Sequence, residues 1–438
     1  CGTTLTLGES GDTVTLGTGA SQSGFGRSGS VNWQTTPKTS TFTAADGEGY
    51  FVNSGSALTM NLPAGSAGAI VAVSDYARNF SAYNLTVSPN GSEKIGGVAA
   101  DAILNIDGQA ATFVYVDGTK GWINVQNAED TEAGASYITA TGGTITTVDT
   151  NFKVHTFTGP GTFCVSCAGS SAGSNTISYL VVGGGSAGGY DRGGGGGAGG
   201  FRESKSPSCV YSESPLAATG GLPVAATGYP VTVGGGGAVN NSSSGAVVNG
   251  DNSVFAGSST ITAAGGGGAG NPGSPHQNGN AGGSGGGARD GPYSGGAGNT
   301  PPVSPPQGQP GGSSTGNQSG PGGGGGGATQ SGFDGQGNPS TPTMGDGGDG
   351  ATTSINGSPT TFAGGGGSGG GGSVPAGGEG GTGGGGNGAS QPAPACAQAG
   401  TANTGGGGGA GNGGGCGATK QGGATGGSGI VIIRYKFQ

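Results

Sequence analysis

Residues 404–438 read TGGGGGAGNGGGCGATKQGGATGGSGIVIIRYKFQ. A glycine tract passes directly into a dense apolar run, and the run is a strand by its β-branched and aromatic content. A tether has no reason to end this way. In the strand, Ile430, Ile432, Arg434 and Lys436 alternate with Val431, Ile433, Tyr435 and Phe437. Both faces are apolar through Ile433, which predicts a strand buried on both sides. Its natural neighbour is SYLVV at 178–182, the last apolar segment before the glycine region. That pairing would join the entrance of the region to its exit.

The glycines are concentrated. Of 116, 26 fall in residues 1–180 and 90 in residues 181–438, so two regions of different physics are expected. Charged residues make up 8 % and the net charge is −9, which excludes charge-driven disorder and the basic face of a nucleic-acid binder. No apolar run approaches the ~20 residues of a membrane span.

Upstream, short T-L-T-L and T-V-T-L alternations in residues 1–30 read as a β-stem. Residues 31–131 carry longer alternating segments (GYFVNS, ALTMNL, AIVAVSDY, YNLTVSP, ATFVYVDG, GWINVQ) divided by turn residues. They predict an antiparallel β-sandwich or jelly-roll-like knob, with Tyr115 and Trp122 in its core or at a subunit interface. Residues 132–182 continue as strands, and His155 sits within one of them, KVHTFT, with no nucleophile or carboxylate in fixed relation to it.

From 183 to 427, glycine runs alternate with polar loops of uneven length, the loops falling at 201–230, 269–281, 288–320, 328–346 and 387–404. The triplet phase of collagen is never held. Helix is excluded, since each glycine costs ~1 kcal/mol against alanine. A flexible spacer and a packed bundle remain. The bundle is favoured because runs repeatedly abut strand-like segments: SYLVVGGG, YPVTVGGGG, STITAAGGGG and TTFAGGGG. An extended left-handed helix with three residues per turn leaves every N–H and C=O pointing outward. With hydrogen as the side chain, neighbouring rods come close enough to bond directly. Residues 428–438 would then be the closing strand. The fold class expected is all-β: stem, sandwich, and a polyglycine-II helical bundle, with no α-helix of note.

The segments YLVVGGG (179–185), GGGGGAGGFRES (193–204) and GGSGIVIIRYKFQ (426–438) resemble the glycine-rich C-terminal domain of bacteriophage tail-fibre and minor tail proteins, notably those of marine phages. There is a more distant resemblance to tip adhesins of T-even-like phages, in which polyglycine-II helices display receptor-binding loops. The resemblance implies a homotrimeric virion protein outside the host cell. It would bind a host-surface receptor, join other tail proteins at its N-terminal end, and contact no nucleic acid. It carries over no catalytic residue, cofactor or metal.

Searches for chemistry give little. G-x-G-x-x-G is meaningless in so glycine-rich a chain, and the G-x-S-x-G at 282–286 lacks its strand–elbow–helix context. The acids Asp334, Asp346, Asp349 and Glu379 are isolated, which leaves depolymerisation of surface glycans, or a purely structural fibre, as alternatives. Of the cysteines Cys1, Cys164, Cys167, Cys209, Cys396 and Cys416, one C-x-x-C without a second pair or paired histidines is a weak zinc signal, and free thiols or disulfides are expected. Aromatic and arginine residues in the loops are the candidate receptor contacts: Tyr190, Arg192, Tyr211, Arg289, Tyr293 and Phe333. Phe201 and Arg202 follow a glycine run directly and read as structural.

Overall fold

The computed structural model describes residues 31–126, 136–170, 173–240, 242, 244–315, 320–337, 343–370, 376–390, 396–413 and 422–438; the stem expected at 1–30 lies outside them. The described residues contain strands and no helix, which places the chain in the all-β class. It divides into two compact units, 1–135 and 136–438.

In the first unit the chain alternates between two sheets. Asn32–Lys38, Glu48–Val52 and Ile70–Asp75 lie side by side in one, followed by Ala110–Asp117 and Gly121–Asn124. Phe42–Thr43, Leu58–Asn61, Leu85–Ser88 and Ala102–Leu104 form the other. Because each connection from Asn32–Lys38 to Leu85–Ser88 crosses to the opposite sheet, successive strands within a sheet run the same way over that stretch. Glu48–Val52 pairs in parallel with both its neighbours, and so does Leu58–Asn61. Pairing turns antiparallel only at the end of each sheet. The antiparallel sandwich expected from sequence is therefore a mixed, parallel-wound one. Alternation reports which face is buried, not strand direction. Met60, Leu62, Val71, Val73, Phe80, Leu85, Phe113 and Trp122 fill the space between the sheets. Trp122 is fully buried and its Nε1 donates to Glu93 Oε2 at 3.1 Å, while Tyr115 packs edge-on against it, half-buried.

The second unit has a β base and a glycine body. One base sheet is antiparallel throughout: Ile138–Thr141, Gly161–Ala168, Gly228–Thr232, Ser253–Ala256 and Thr260–Ala263. The other holds Thr144–Val148, Phe152–Phe157, Ile430–Lys436, Thr176–Val182, Phe201–Lys205 and Ala217–Thr219 in that order. The closing strand lies between Phe152–Phe157 and Thr176–Val182, antiparallel to both, with Ile432 opposite Leu180. Entrance and exit of the glycine region are thus hydrogen-bonded together, as expected. Its faces divide as the alternation predicts. Val431, Ile433 and Tyr435 join Phe163, Tyr229 and Phe255 in the core between the sheets. Ile430 and Ile432 join Leu180, Phe201 and Phe362 in a second core with Ala198, Ala328 and Ala363 of the glycine body.

The glycine body is held by backbone hydrogen bonds with a period of three. The N–H groups of Gly194 and Gly197 donate to Gly270 and Gly267, those of Gly195 and Ala198 to Gly323 and Gly326, and those of Gly196 and Gly199 to Gly408 and Gly405, at 2.9–3.3 Å. Descending partner numbers mark the first and third neighbours as antiparallel; ascending ones mark the second as parallel. The carbonyls continue the rule. Those of Gly194, Gly197 and Gly200 accept from Gly189, Ser186 and Gly183, those of Gly195 and Ala198 from Gly287 and Ser284, and that of Gly196 from Gly366. This rod is therefore enclosed by six others. A second rod repeats the pattern: Gly364, Gly367 and Gly370 donate to Gly383, Gly386 and Ala389, Gly365 and Ser368 to Gly348 and Gly345, and Gly366 and Gly369 to Gly196 and Gly193. Three residues per turn and lateral bonding to all sides are the properties of packed polyglycine-II helices.

Side chains are excluded by proximity. A Cβ on Gly195 would fall within the carbonyl of Gly366, and one on Gly366 within that of Gly408. Ala187, Ala198, Ala288, Ala389 and Ala410 are wholly buried within the runs, whereas Ala281 and Ala297 are exposed. Gly195→Ala should therefore lower stability by about 1–3 kcal/mol, since neighbouring backbone must move. Gly159→Ala, where the added methyl meets nothing within 4 Å, should be neutral or slightly stabilising. Thermal denaturation of the two variants distinguishes this lattice from a loose tract, in which both would behave alike.

Ile432→Asp tests the closing strand. Ile432 is 1 % exposed, so the substitution buries an unpaired carboxylate. It should cost more than about 4 kcal/mol and abolish the cooperative melting of the glycine body, although no glycine is altered.

Candidate functional site at the ends of the glycine rods

The registers sort the turns of the glycine body by end. Runs leading away from the β base, such as 183–189, 264–270 and 284–288, antiparallel to 194–200, reverse at 189–193, 271–278 and 289–293. These turns lie beside one another at the end remote from the strands. They hold Tyr190, Arg192, Arg289 and Tyr293. The next run, 309–313, continues the row, and Ser314 bridges to Tyr293 on one side and to Gly335 on the other. Phe333 lies two residues before that bridge, part-way along its rod, where its N–H donates to Asp346 and its carbonyl accepts from Gly324. Four of the six candidate residues therefore share one end, with Phe333 part-way along a neighbouring rod. Tyr211 does not. It lies in the β base, below the Arg434 guanidinium at 5.2 Å and with Lys205 Nζ 5.3 Å from its ring centre.

At the remote end, charge is buried rather than displayed. Asp290 is fully buried and bridges Arg289, whose Nη2 meets Oδ1, and Arg192, whose Nη1 lies 3.5 Å from Oδ2. Asp191 lies 3.5 Å from Arg192 Nε. Burial pushes the Asp290 carboxyl up, and Arg289 and Arg192 pull it back down. Two acids and two arginines from the mirrored stretches YDR and ARD thus form one neutral cluster, which their separation in sequence conceals. Asp191 and Arg192 hold φ of 44° and 60°, left-handed values that cost non-glycine residues about 1–2 kcal/mol each. Asn271 is buried beside them, its Oδ1 accepting from Tyr190 N at 2.9 Å and its Nδ2 donating to Ser242 O and Gly245 O. The cluster fixes three adjacent turns to one another. Phe333 is 48 % exposed, and Tyr293 covers Gly291, whose φ of 119° a side chain would oppose.

The acids singled out from sequence lie along the edge of the lattice. Asp334 Oδ1 accepts from Ser313 N, Asp346 Oδ1 from Glu379 N, and Asp349 Oδ1 from Thr382 N, at 2.7–2.8 Å. Asp346 and Asp349 are one rod turn apart, and so are their donors, so the side-chain oxygens continue the bonding that a further rod would supply.

The base holds further buried polar groups. Arg434, 0 % exposed, donates from Nη2 to Asp149 Oδ2 at 2.6 Å and to Val210 O at 2.9 Å, and stacks on Phe152 at 4.5 Å. Glu203 accepts from Thr353 Oγ1 and Ser214 N, and burial raises its carboxyl. His155 is fully buried. Its Nδ1 lies 2.7 Å from Gly142 O, an acceptor only, so Nδ1 carries the proton and Nε2 accepts from Tyr435 O–H at 3.1 Å. Burial holds the imidazole below its usual value and pushes the Tyr435 phenol up to about 12. Phe201, expected to be structural, is core, and Arg202 beside it is half-buried.

A family model described as a glycine-rich domain matches residues 156–436. No curated protein matches the chain.

The His155 arrangement sets a pH dependence. Its folded pKa is depressed, so the unfolded state binds more protons as pH falls. Its contribution is complete above the unfolded value of about 6.5 and declines as pH drops below it. Glu203 and Asp290, raised by burial, act in the opposite sense: their protonated forms favour the folded state below the unfolded carboxylate values of about 4, and that contribution is lost as pH rises through their folded values. Unfolding free energies of the wild type and His155→Gln between pH 7.5 and 5 isolate the histidine: the wild type should lose the advantage on acidification that the variant lacks, and parallel curves would contradict the assignment.

Proposed function

The chain belongs to the glycine-rich domain family, and on that premise we propose that it is a virion tail-fibre protein that recognises and attaches to a host-cell surface receptor. The observation that carries this reading is the gathering of Tyr190, Arg192, Arg289 and Tyr293 on adjacent turns at one end of a hydrogen-bonded lattice, with Phe333 exposed on the side of a neighbouring rod. Recognition residues sit most often on loops held by a rigid scaffold, and aromatic and arginine side chains supply most of the binding energy. The lattice gives the scaffold, and the Asp191–Arg192–Arg289–Asp290 cluster fixes the turns before any ligand arrives, which lowers the entropy lost on binding.

The protein acts by binding, without cofactor or catalysis. It functions as a homotrimer outside the cell, joined to other tail proteins through its N-terminal end. Three copies would add weak loop contacts through avidity.

The test uses the purified chain, fluorescently labelled, against a panel of bacterial cells and their isolated surface glycans. The double variant Tyr293→Ala/Phe333→Ala should lower binding at least about tenfold with an unchanged melting temperature. Binding that survives the double substitution would point to a purely structural fibre, and shortening of the glycans on incubation would point to a depolymerase.

A further inference from the structure

Cys164 and Cys167 stand three positions apart on one strand, a spacing that in regular β structure sends side chains to opposite faces. The strand Gly161–Ala168 is not regular. Thr139 of the neighbouring strand pairs with Cys167, and the next residue, Ala140, pairs with Val165. Ser166 is thus the extra residue of a β-bulge. Its Oγ donates to Thr139 O at 3.1 Å, which holds the bulge in place. The burial pattern records the outcome: Phe163 and Val165 point into the core, and Cys164 and Cys167 are both exposed. Their partners Thr141 and Thr139 are exposed on the same face.

The bulge sets the two cysteines opposite Thr139 and Thr141, two residues apart on the partner strand, a Cα spacing of about 6.6 Å in regular β structure. Disulfide-bonded cysteines have Cα atoms about 4.4–6.8 Å apart. On its other side Cys164 pairs with Gly228, which has no side chain to cover it. Both thiols are free, whereas Cys396 is disulfide-bonded and Cys209 is buried.

We infer that Cys164 and Cys167 form a surface dithiol that reacts with external disulfides and closes reversibly to an intrastrand disulfide. The thiolate of one cysteine attacks a sulfur of a small-molecule disulfide such as glutathione disulfide. A mixed disulfide forms and one thiol leaves. The second cysteine, as thiolate, attacks the protein sulfur of that mixed disulfide, forming the Cys164–Cys167 bond and expelling the second thiol. Two protein thiols are oxidised, one external disulfide is reduced to two thiols, and the two protons released end on those leaving groups. Ser166 is the positioning residue, since it sets both sulfurs on one face.

The test equilibrates the full chain with glutathione and glutathione disulfide at graded ratios, quenches with acid, and maps the peptide containing residues 161–168 by mass spectrometry. The wild type should convert to the intrastrand disulfide, with at least about tenfold less glutathione adduct than Cys164→Ser or Cys167→Ser, because the second step is intramolecular. Each single variant should stop at a stable adduct on its remaining cysteine. Buried Cys209 should stay unmodified while the chain is folded. Adducts accumulating in the wild type as in the single variants would overturn the proposal, and so would two thiols that stay reduced at every ratio.

Discussion

A backbone whose side chains are hydrogen atoms has one way to hold a fixed shape: every N–H and C=O must find a partner on another strand. At three residues per turn these groups project in three directions each, and a rod can be satisfied only when surrounded. The rod at 194–200 meets that condition, with six neighbours supplying donors and acceptors in strict rotation. Everything else in residues 136–438 serves it. Alanine stands at several closed positions, such as Ala187 and Ala198, and serine where its hydroxyl reaches a neighbouring carbonyl, as Ser186 does to Gly267 at 2.6 Å. Aspartates along the edge accept the bonds that a missing rod would have taken.

Such a lattice has little apolar surface to bury and loses much conformational entropy, because glycine has the most freedom to give up. The β base compensates. Its sheets bury two cores, and the closing strand contributes to both at once. By pairing Ile430–Lys436 with Thr176–Val182, the base fixes the first and last rods at a single point. Arg434, set among Phe152, Tyr211 and Asp149, ties the same strand to the loop after Phe201–Lys205. At the opposite end the two Asp–Arg stretches perform the corresponding task for the turns. Between these two fastenings the rods need only their backbones, so the turns can vary in sequence and length without disturbing the lattice.

Much of this was legible in the sequence, for identifiable reasons. The closing strand was readable because apolarity on both faces admits only a central position, and its partner because glycine runs abut strands repeatedly. The all-β class followed from alternation and from the exclusion of helix. Strand direction in residues 31–126 was not readable, since parallel and antiparallel strands bury the same alternating face. The bulge at Ser166 was hidden because it depends on pairing with Ile138–Thr141. The candidate site was partly legible. Composition found the aromatic and arginine residues of the loops, but it could not show that Tyr211 belongs to the base. Nor could it show that Asp191 and Asp290, a hundred residues apart, enclose the same two arginines. The mirrored dipeptides were the available signal, and they become meaningful only once the rods bring the two turns together.

Lateral hydrogen bonds fix the glycine tracts. Residue-resolved amide hydrogen exchange measures this directly. Gly194–Gly199 and Gly364–Gly369 should be protected to nearly the level of the closing strand Ile430–Lys436, with all three segments opening together. Exchange of these glycines at the rate of an unstructured chain, while Ile430–Lys436 remains protected, would contradict it.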